Sequence, residues 1–294
     1  MFPMAEGTSQ NPHELRIVAN GLEHRVLRWG DRGPTVFLLH GFADAAATWD
    51  EVAPALARNA RVLAPDLRGF GHGARAPRGS YYHFADYIAD LADLVAALSP
   101  DEPISLVGHS MGGVVATLFA GTFPERVVRL ANLEGLGPPD HDSDAGPVRM
   151  RTWIDGVRAL ANRDESARGP MSLADARRRL GTSHPRIAAD VLDRKLPYLV
   201  TDVVGGVRWL FDPLHRTTAP VPFFTSSFVA FARRITCPVL FVSGGEEGWH
   251  PADEEARLAG FSSLSRVTLE GAGHMVHWTR PAELTRLLED HLTV

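Results

Sequence analysis

Cysteine and lysine are almost absent from the sequence. Among its 294 residues there is one cysteine, Cys237, and one lysine, Lys195. A single cysteine excludes an internal disulfide and a metal site built on cysteine pairs, and it fits a reducing compartment, so we predict a cytoplasmic protein. Arginine supplies nearly all of the positive charge in place of lysine, and this codon-related bias indicates a GC-rich bacterial genome.

Long apolar runs and an excess of charge of one sign are also missing. The longest apolar runs, such as 35–39 and 238–242, have the length of a strand, whereas a membrane span needs about 18 to 20 residues. Residues 1–14 lack the positive and apolar regions of a signal peptide, so we expect no secretion signal. The 30 basic and 35 acidic residues give a net charge of −5 without a basic block. We therefore expect no nucleic-acid or membrane partner, and a small molecule as substrate.

What remains is the composition of a folded protein in which strands and helices alternate. Hydrophobic residues make up 45% of the chain and charged residues 22%. Short apolar runs alternate with helical patterns, which is typical of βαβ units around a mostly parallel sheet. The predicted strands are 15–19, 25–29, 35–39, 61–64, 104–107, 128–133, 239–242 and 266–269. The inner runs are almost wholly apolar, which indicates that helices cover both faces of the sheet.

The alternation of strands and helices stops between residues 137 and 234. This segment is Arg-rich, has proline-rich joints and shows helical patterns without an apolar strand run. We predict an α/β core formed by residues 1–136 and 235–294, with a helical insertion at 137–234. Most of the aromatic residues of the insertion are expected to pack within it and against the sheet, and a few to face a substrate pocket. They are Trp153, Trp209, Phe211, Phe223, Phe224, Phe228 and Phe231.

Residues 108–112, Gly-His-Ser-Met-Gly, follow a predicted strand and precede a helical stretch. A G-x-S-x-G sequence in this context predicts a tight turn that projects the serine hydroxyl from the carboxyl edge of the sheet, where flanking glycines permit close packing. The backbone N–H of Met111, at the start of the helix, is suited to stabilise an oxyanion. We predict Ser110 as a nucleophile and Met111 as an oxyanion donor.

Two other strand ends carry the partners that a serine nucleophile needs. His274 follows the strand 266–269 among small residues, so its imidazole can reach the serine and act as the base. His277 is the alternative base, but its position before the last helix favours a role at the surface or behind the site. Phe42 follows the strand 35–39, and its backbone N–H is predicted as the second oxyanion donor. Structural roles are predicted for His40, His72 and His109.

These motifs together resemble the α/β-hydrolase superfamily. The resemblance rests on His-Gly-Phe at 40–42, Asp-Leu-Arg-Gly-Phe-Gly at 66–71, Gly-His-Ser-Met-Gly-Gly at 108–113 and Gly-His at 273–274. It spans nearly the whole chain outside the insertion. It implies the α/β-hydrolase fold, a mostly parallel central sheet flanked by helices, with a helical cap at 137–234 that covers the serine and forms much of the substrate pocket. It implies a fold-shaping role, and no catalytic one, for residues 66–71.

The acidic partner of the histidine has two candidate positions. Most of the superfamily has an aspartate after the strand that follows the cap, where this chain reads Ser-Gly-Gly-Glu-Glu-Gly-Trp at 243–249. The second position follows the preceding strand, where Glu134 lies in a stretch that resembles haloalkane dehalogenases and serine-hydrolase-like esterases. A carboxylate at the end of an inner apolar strand is costly to bury unless a donor such as an imidazole N–H bonds to it. We therefore predict Glu134 as the acid, with Glu246 and Glu247 as alternatives.

The predicted activity is cofactor-free hydrolysis of a carboxylic ester of a small apolar or aromatic substrate. Ser110 attacks and forms an acyl-enzyme, His274 transfers the proton, and Glu134 orients the imidazole. The related dehalogenases and epoxide hydrolases attack carbon with an aspartate, so a serine at this position argues against dehalogenation. We predict no metal, because the sequence has no clustered Cys/His ligand set. The alternatives are a C–C bond hydrolase or a perhydrolase on the same three residues, and a non-catalytic small-molecule receptor.

Overall fold

The computed structural model describes residues 11–77, 79–162 and 169–292. Its strands are β1 His13–Ala19, β2 Leu22–Trp29, β3 Thr35–Leu39, β4 Arg61–Pro65, β5 Ile104–His109, β6 Val127–Leu133, β7 Val200–Val203, β8 Gly206–Trp209, β9 Val239–Ser243 and β10 Leu264–Thr268. Eight of them form one sheet in the order β1-β2-β4-β3-β5-β6-β9-β10. The pairs β1/β2 and β2/β4 are antiparallel and the others are parallel. Each strand predicted from the sequence is present in this sheet.

Helices cover both faces of the sheet. The α-helices of the described residues, including those of the segment 137–234, are α1 Ala53–Leu56, α2 Phe84–Leu98, α3 Met111–Thr122, α4 Ala145–Ala161, α5 Leu173–Ser183, α6 Ala189–Lys195, α7 Thr225–Ala232, α8 Glu254–Leu258, α9 Val276–Thr279 and α10 Pro281–Leu292. Strand β3 shows why a run such as residues 36–39 is wholly apolar. Phe37 and Leu39 belong to the core on the face of α2 and α3, whereas Val36 and Leu38 belong to the core on the face of α1 and α10. A strand with two buried faces has no position for a polar side chain.

The segment predicted as the cap contains α4, α5 and α6, a short hairpin and α7. The hairpin of β7 and β8 was not predicted, because its four-residue strands mix polar with apolar residues and are only partly buried. Helices α5 and α6 pack on Met275 and Trp278 of the core. Helix α7 packs in the helical layer of the sheet, where Phe228 shares a core cluster with Val115. The division at residues 137 and 234 stays a prediction.

The motif at 66–71 shapes the fold, as the family resemblance implies. The carboxylate of Asp66 is fully buried and accepts hydrogen bonds from the backbone N–H groups of Ala46 (2.8 Å) and His72 (2.9 Å). The guanidinium of Arg25 lies 3.0 Å from the same carboxylate. These contacts connect the turn after β4 to the loop after β3. In the described part of the chain, no helix is both long enough and apolar enough to cross a bilayer.

Candidate active site

The sheet order brings the predicted site residues to one edge. Strands β3, β5, β6, β9 and β10 are consecutive parallel neighbours. Their carboxyl ends therefore lie side by side, and the residues that follow them face a common space. Ser110 follows β5, Glu134 follows β6 and His274 lies in the loop after β10.

Ser110 occupies a strained turn between β5 and α3. Its backbone has φ 51° and ψ −117°, a conformation that non-glycine residues adopt rarely and that tight packing must hold in place. A Cβ atom at Gly112 would overlap the carbonyl oxygens of Leu39 and His40. Glycine at this position thus lets α3 begin directly against the end of β3. The backbone N–H of Ser110 donates to the carbonyl of Leu133 (2.9 Å), which joins the turn to β6.

A continuous chain of hydrogen bonds connects the three residues. His274 Nε2 lies 2.9 Å from Ser110 Oγ, and His274 Nδ1 lies 3.2 Å from Glu134 Oε2. An ionised carboxylate only accepts hydrogen bonds, so Nδ1 carries the proton and donates to Glu134. Nε2 of the neutral ring is then the acceptor for the serine hydroxyl. The His274 side chain is 37% exposed and the Glu134 side chain is fully buried. The solvent-accessible end of the hydrogen-bonded series is therefore the one formed by Ser110 and His274.

The loop at 243–249 holds the carboxylate of Glu134. Oε1 accepts the backbone N–H of Gly244 (2.6 Å), and Oε2 accepts the backbone N–H of Trp249. A Cβ atom at Gly248 would overlap the carboxylate, so this position requires glycine. Glu134 itself has a left-handed backbone with φ 56°. Its buried charge is therefore satisfied by three donors when His274 is included.

The two alternative acids lie at the surface. Glu246 and Glu247 are both exposed, and a carboxylate oxygen of Glu247 lies 3.7 Å from Arg186. Within the described residues, the carboxylate bonded to His274 Nδ1 is that of Glu134. The sequence pattern by itself did not indicate that the Gly-rich loop carrying Glu246 and Glu247 donates to Glu134. The glycines at 244 and 248 were the available signal.

The two predicted oxyanion donors lie next to the serine. Met111 is the first residue of α3 and follows Ser110 directly. The loop that carries Phe42 packs on the nucleophile, because a Cβ atom at Gly41 would lie 3.2 Å from the Cβ of Ser110. The side chain of Phe42 is 51% exposed, which is unusual for a large apolar residue. The oxyanion role of both N–H groups stays a prediction.

A histidine of the segment 137–234 packs between aromatic residues beside this loop. The ring of His215 stacks on Phe70 and Tyr82 with centroid distances of 4.0 Å each, and the ring of Phe42 lies edge-on at 5.9 Å. Burial lowers the pKa of His215 to about 4. Its Nε2 has no hydrogen-bond partner among the described residues. His215 therefore contributes apolar contacts with Phe42, Phe70 and Tyr82 while it is neutral.

We expect the free energy of unfolding to fall as the pH decreases from 6.5 towards 4. The His215 pKa is about 4 in the folded protein against an ordinary value of 6.5, so the unfolded chain binds the proton first. The neutral ring contributes its full stabilisation above pH 6.5, the ordinary pKa, and this stabilisation is lost as the pH falls through about 4, the pKa in the folded protein. The loss in the free energy of unfolding is at most about 3 kcal/mol. Urea unfolding at several pH values measures it. His215→Phe keeps the stacking without titrating and should show a smaller loss; equal losses in the two proteins would contradict the assignment.

The other histidines are placed as follows. His40 is buried and has a structural role, as predicted: Nε2 accepts the N–H of Leu67 (3.0 Å), and Nδ1 lies 2.8 Å from the Gly41 carbonyl. His72 is exposed on the turn that Asp66 organises. For His277, the predicted surface alternative is wrong, because the side chain is fully buried and its Nε2 lies 3.0 Å from an oxygen of Asp44. Its position before the last helix did not reveal this partner.

The expectation that no histidine ligand set clusters is also wrong. Asp44, His109 and His277 each offer a ligand atom, and these atoms lie within 4.8 Å of one another. They come from the loop after β3, the last residue of β5 and helix α9, which only the fold brings together. The Asp44 carboxylate already accepts hydrogen bonds from the N–H of Ala45 and the hydroxyl of Thr48, in addition to His277. Hydrogen bonds therefore account for the burial of this charge.

The fold and the site define a hydrolase of the α/β fold. The sequence profile of the family described as the alpha/beta hydrolase fold matches residues 34–281. The chain belongs to this family, and the predicted fold is confirmed.

Relatives in the family carry more than one activity in their names. Epoxide hydrolase A of Mycobacterium tuberculosis is 27% identical over 96% of this chain and 98% of its own length. A serine hydrolase-like protein of Danio rerio is 32% identical over 66% of this chain and 60% of its own length. Among solved structures, a hypothetical protein of Pseudomonas aeruginosa PAO1 matches with a TM-score of 0.82 and 28% identity, covering 95% of this chain and 97% of that one. The thioesterase domain from the curacin biosynthetic pathway matches with a TM-score of 0.80 and 26% identity, covering 95% and 99%.

Proposed function

We propose that this protein is a serine hydrolase that cleaves a carboxylic ester of a small apolar or aromatic substrate. The observation that carries the proposal is the hydrogen-bonded chain from Ser110 through His274 to Glu134. In this arrangement the free lone pair of His274 Nε2 faces the serine hydroxyl, which is the proton transfer that activates a serine. No cofactor is required for this chemistry.

In the proposed reaction, Ser110 Oγ attacks the acyl carbon and its proton passes to His274 Nε2. The N–H groups of Phe42 and Met111 hold the oxyanion. The C–O bond to the alcohol then breaks as the proton of His274 passes to the leaving oxygen. Water attacks the acyl-enzyme with His274 again as base, and the acid is released. Glu134 remains ionised throughout and stabilises the imidazolium.

The residue at position 110 distinguishes ester from epoxide substrates. A serine that opened an epoxide would form an alkyl ether on the enzyme. An ether has no carbonyl carbon for water to attack, so the enzyme would not turn over. An acyl-enzyme has this carbon, and His274 is placed to activate the water. The serine therefore supports acyl substrates, although one relative is named as an epoxide hydrolase.

Apolar side chains next to the site support an apolar or aromatic substrate. Phe42 and Trp249 are two of the few large apolar residues exposed in the described part of the chain. Phe42 lies on the loop packed against Ser110, and Trp249 bonds to Glu134 through its backbone. The indole N–H of Trp249 donates to the Gly137 carbonyl (2.9 Å), which fixes the ring at the start of the cap. Exposed aromatic groups around a reacting centre are typical of sites for apolar ligands.

We expect the purified protein to hydrolyse p-nitrophenyl esters and to react with a fluorophosphonate at one residue, Ser110. Peptide mass spectrometry identifies the modified residue, and a series of acyl chain lengths measures the preferred substrate. Parallel assays with a styrene-oxide-type epoxide and with a vinylogous diketone test the epoxide and C–C hydrolase alternatives. Faster turnover of either compound than of every ester would contradict the ester proposal. A protein that neither turns over an ester nor reacts with the probe would instead support the receptor alternative.

A further inference from the structure

Three segments beside the candidate site residues, the loop after β3, the end of β5 and helix α9, meet at one buried polar cluster. Asp44 lies two residues after Phe42, His109 directly precedes Ser110, and His277 follows His274 by three residues. All three side chains are buried, with residue exposures of 3%, 1% and 0%. Polar groups are costly to bury, so their meeting at this place requires an explanation that the proposed reaction does not contain.

The first contact joins the loop of Phe42 to helix α9, which directly follows the loop of His274. His277 Nε2 lies 3.0 Å from Asp44 Oδ2, and Asp44 Oδ1 accepts the hydroxyl of Thr48 (2.8 Å) and the N–H of Ala45 (2.9 Å). Burial opposes ionisation, but the hydrogen bonds from His277 and Thr48 lower the pKa of Asp44 overall. The carboxylate is therefore charged at neutral pH, and His277 donates to it from Nε2.

The second contact joins the nucleophile turn to the same two loops. His109 Nε2 lies 2.8 Å from the carbonyl oxygen of His274, so it donates its proton to the main chain of the proposed base. Burial lowers the pKa of His109 well below its ordinary value and keeps the ring neutral. The rings of His109 and His277 lie 4.4 Å apart. On its other side, His109 packs on Gly41, where a Cβ atom would lie 2.7 Å from Nδ1.

We propose that Asp44, His109 and His277 form a positioning unit. It fixes the relative positions of the loop that carries Phe42, the turn at Ser110 and the loop that carries His274. The proposal rests on the proposed function. Their side-chain hydrogen bonds within the described residues go to one another, to Ala45 and Thr48, and to the main chain of His274. Their contribution is to geometry, because oxyanion donors act at about 2.7 to 3.1 Å and a misplacement of about 1 Å can cost about a hundredfold in rate. Loops are less precise supports than strands and helices, so buried polar bonds from the end of β5 and from α9 would fix the loops that carry Phe42 and His274.

The test measures the rate constant at which a fluorophosphonate modifies Ser110, in Asp44→Ala, His277→Ala and the double variant. This reaction needs the base and the oxyanion donors but no knowledge of the natural substrate. Irreversibly misfolded protein lowers the plateau of labelling, and the observed rate constant is divided by the folded fraction measured by circular dichroism, so that the two effects are separated. We expect each single variant to react at least about tenfold more slowly, and the double variant to react no more slowly than the slower single one, because both changes break the same connection.

Two control variants separate positioning from general stability. In His277→Gln the side-chain amide still donates to Asp44, so we expect a rate within about threefold of the wild type. Asp90→Ala breaks a buried ion pair with Arg68, in which Asp90 Oδ2 lies 2.6 Å from Arg68 Nε, outside the three segments. This change should lower the thermal unfolding temperature and leave the labelling rate within about twofold of the wild type.

The outcomes are distinct. If wild-type Ser110 reacts while Asp44→Ala and His277→Ala keep its rate constant, the positioning unit is refuted and the proposed function stands. Losses that multiply in the double variant would refute the unit as well, since they would show independent effects. A wild type that does not react at Ser110 contradicts the proposed function and this inference with it. One zinc ion per purified chain, with slower labelling after chelation, would show that a metal and not a hydrogen bond joins these segments.

Discussion

Replacing Ser110 by alanine is expected to abolish ester hydrolysis, with a loss of about 10⁴ to 10⁶ in kcat, as in serine hydrolases that lose a member of the triad. The variant removes the hydroxyl oxygen that lies 2.9 Å from His274 Nε2 and leaves the predicted donors of the oxyanion in place. We expect the fold to persist. Alanine adopts the left-handed backbone of this turn at the same cost as serine, and the glycines that permit the turn are unchanged.

The measurement is kcat on the best p-nitrophenyl ester, with circular dichroism and thermal unfolding as checks of the fold. Ser262→Ala is a matched control, because it also removes one hydroxyl and its hydrogen bond, here to the Ile235 carbonyl at 3.2 Å. Ser262 precedes β10 and so lies at the amino edge of the sheet, away from the site. It should keep the wild-type rate. Wild-type turnover by Ser110→Ala would exclude Ser110 as the nucleophile.

Changing Glu134 to glutamine is expected to lower kcat at least about a hundredfold. The comparable change in the serine-protease triad costs about 10⁴. Both oxygens of Glu134 accept hydrogen bonds, from Gly244 on one side and from Trp249 and His274 on the other. A glutamine presents an amide group to one side, so donor meets donor there. If the amide group faces His274, it donates to Nδ1, and the imidazole then carries its proton on Nε2. In that tautomer Nε2 cannot accept the proton of Ser110. If the amide group faces Gly244, the charge that stabilises the imidazolium is still lost.

Glu246→Gln and Glu247→Gln are the matched controls, and each should lose less than about tenfold, because both residues lie on an exposed turn. The double change at 134 and 247 measures whether Glu247 partly replaces a lost acid. A crippled Glu247→Gln together with a nearly silent Glu134→Gln would assign the acid to the loop after β9. Glu134 would then be a carboxylate that its three donors satisfy and that the reaction does not use.

Much of the core was predictable because its signals are local. Strand β3 is apolar at four consecutive positions, and helix α2 has apolar residues at three- and four-residue spacing. These patterns report burial on two faces or on one. The hairpin of β7 and β8 was missed for the same reason. Its short strands include Asp202 and Arg208 and are mostly exposed or half-buried, so no pattern of burial marks them.

The position of the candidate acid was predictable, but the groups that hold it were not. Glu134 was favoured over Glu246 and Glu247 by the family resemblance and by the cost of burying a carboxylate, and it lies beside His274. No side-chain pattern in the sequence indicated that the N–H groups of Gly244 and Trp249 hold that carboxylate. Donors on the main chain have no side-chain signature, so their target appears only when two loops are seen together.

By itself, the sequence determined the strands and helices of the core, the turn that carries Ser110, and the strand ends on which His274 and Phe42 lie. Tertiary structure decided which of these ends meet. The order of β3, β5, β6, β9 and β10 depends on crossovers through helices, and the contact between Asp44 and His277 joins residues 233 positions apart. Local patterns encode which face of an element is buried. Contacts between loops depend on the packing of the whole sheet, which no local pattern contains.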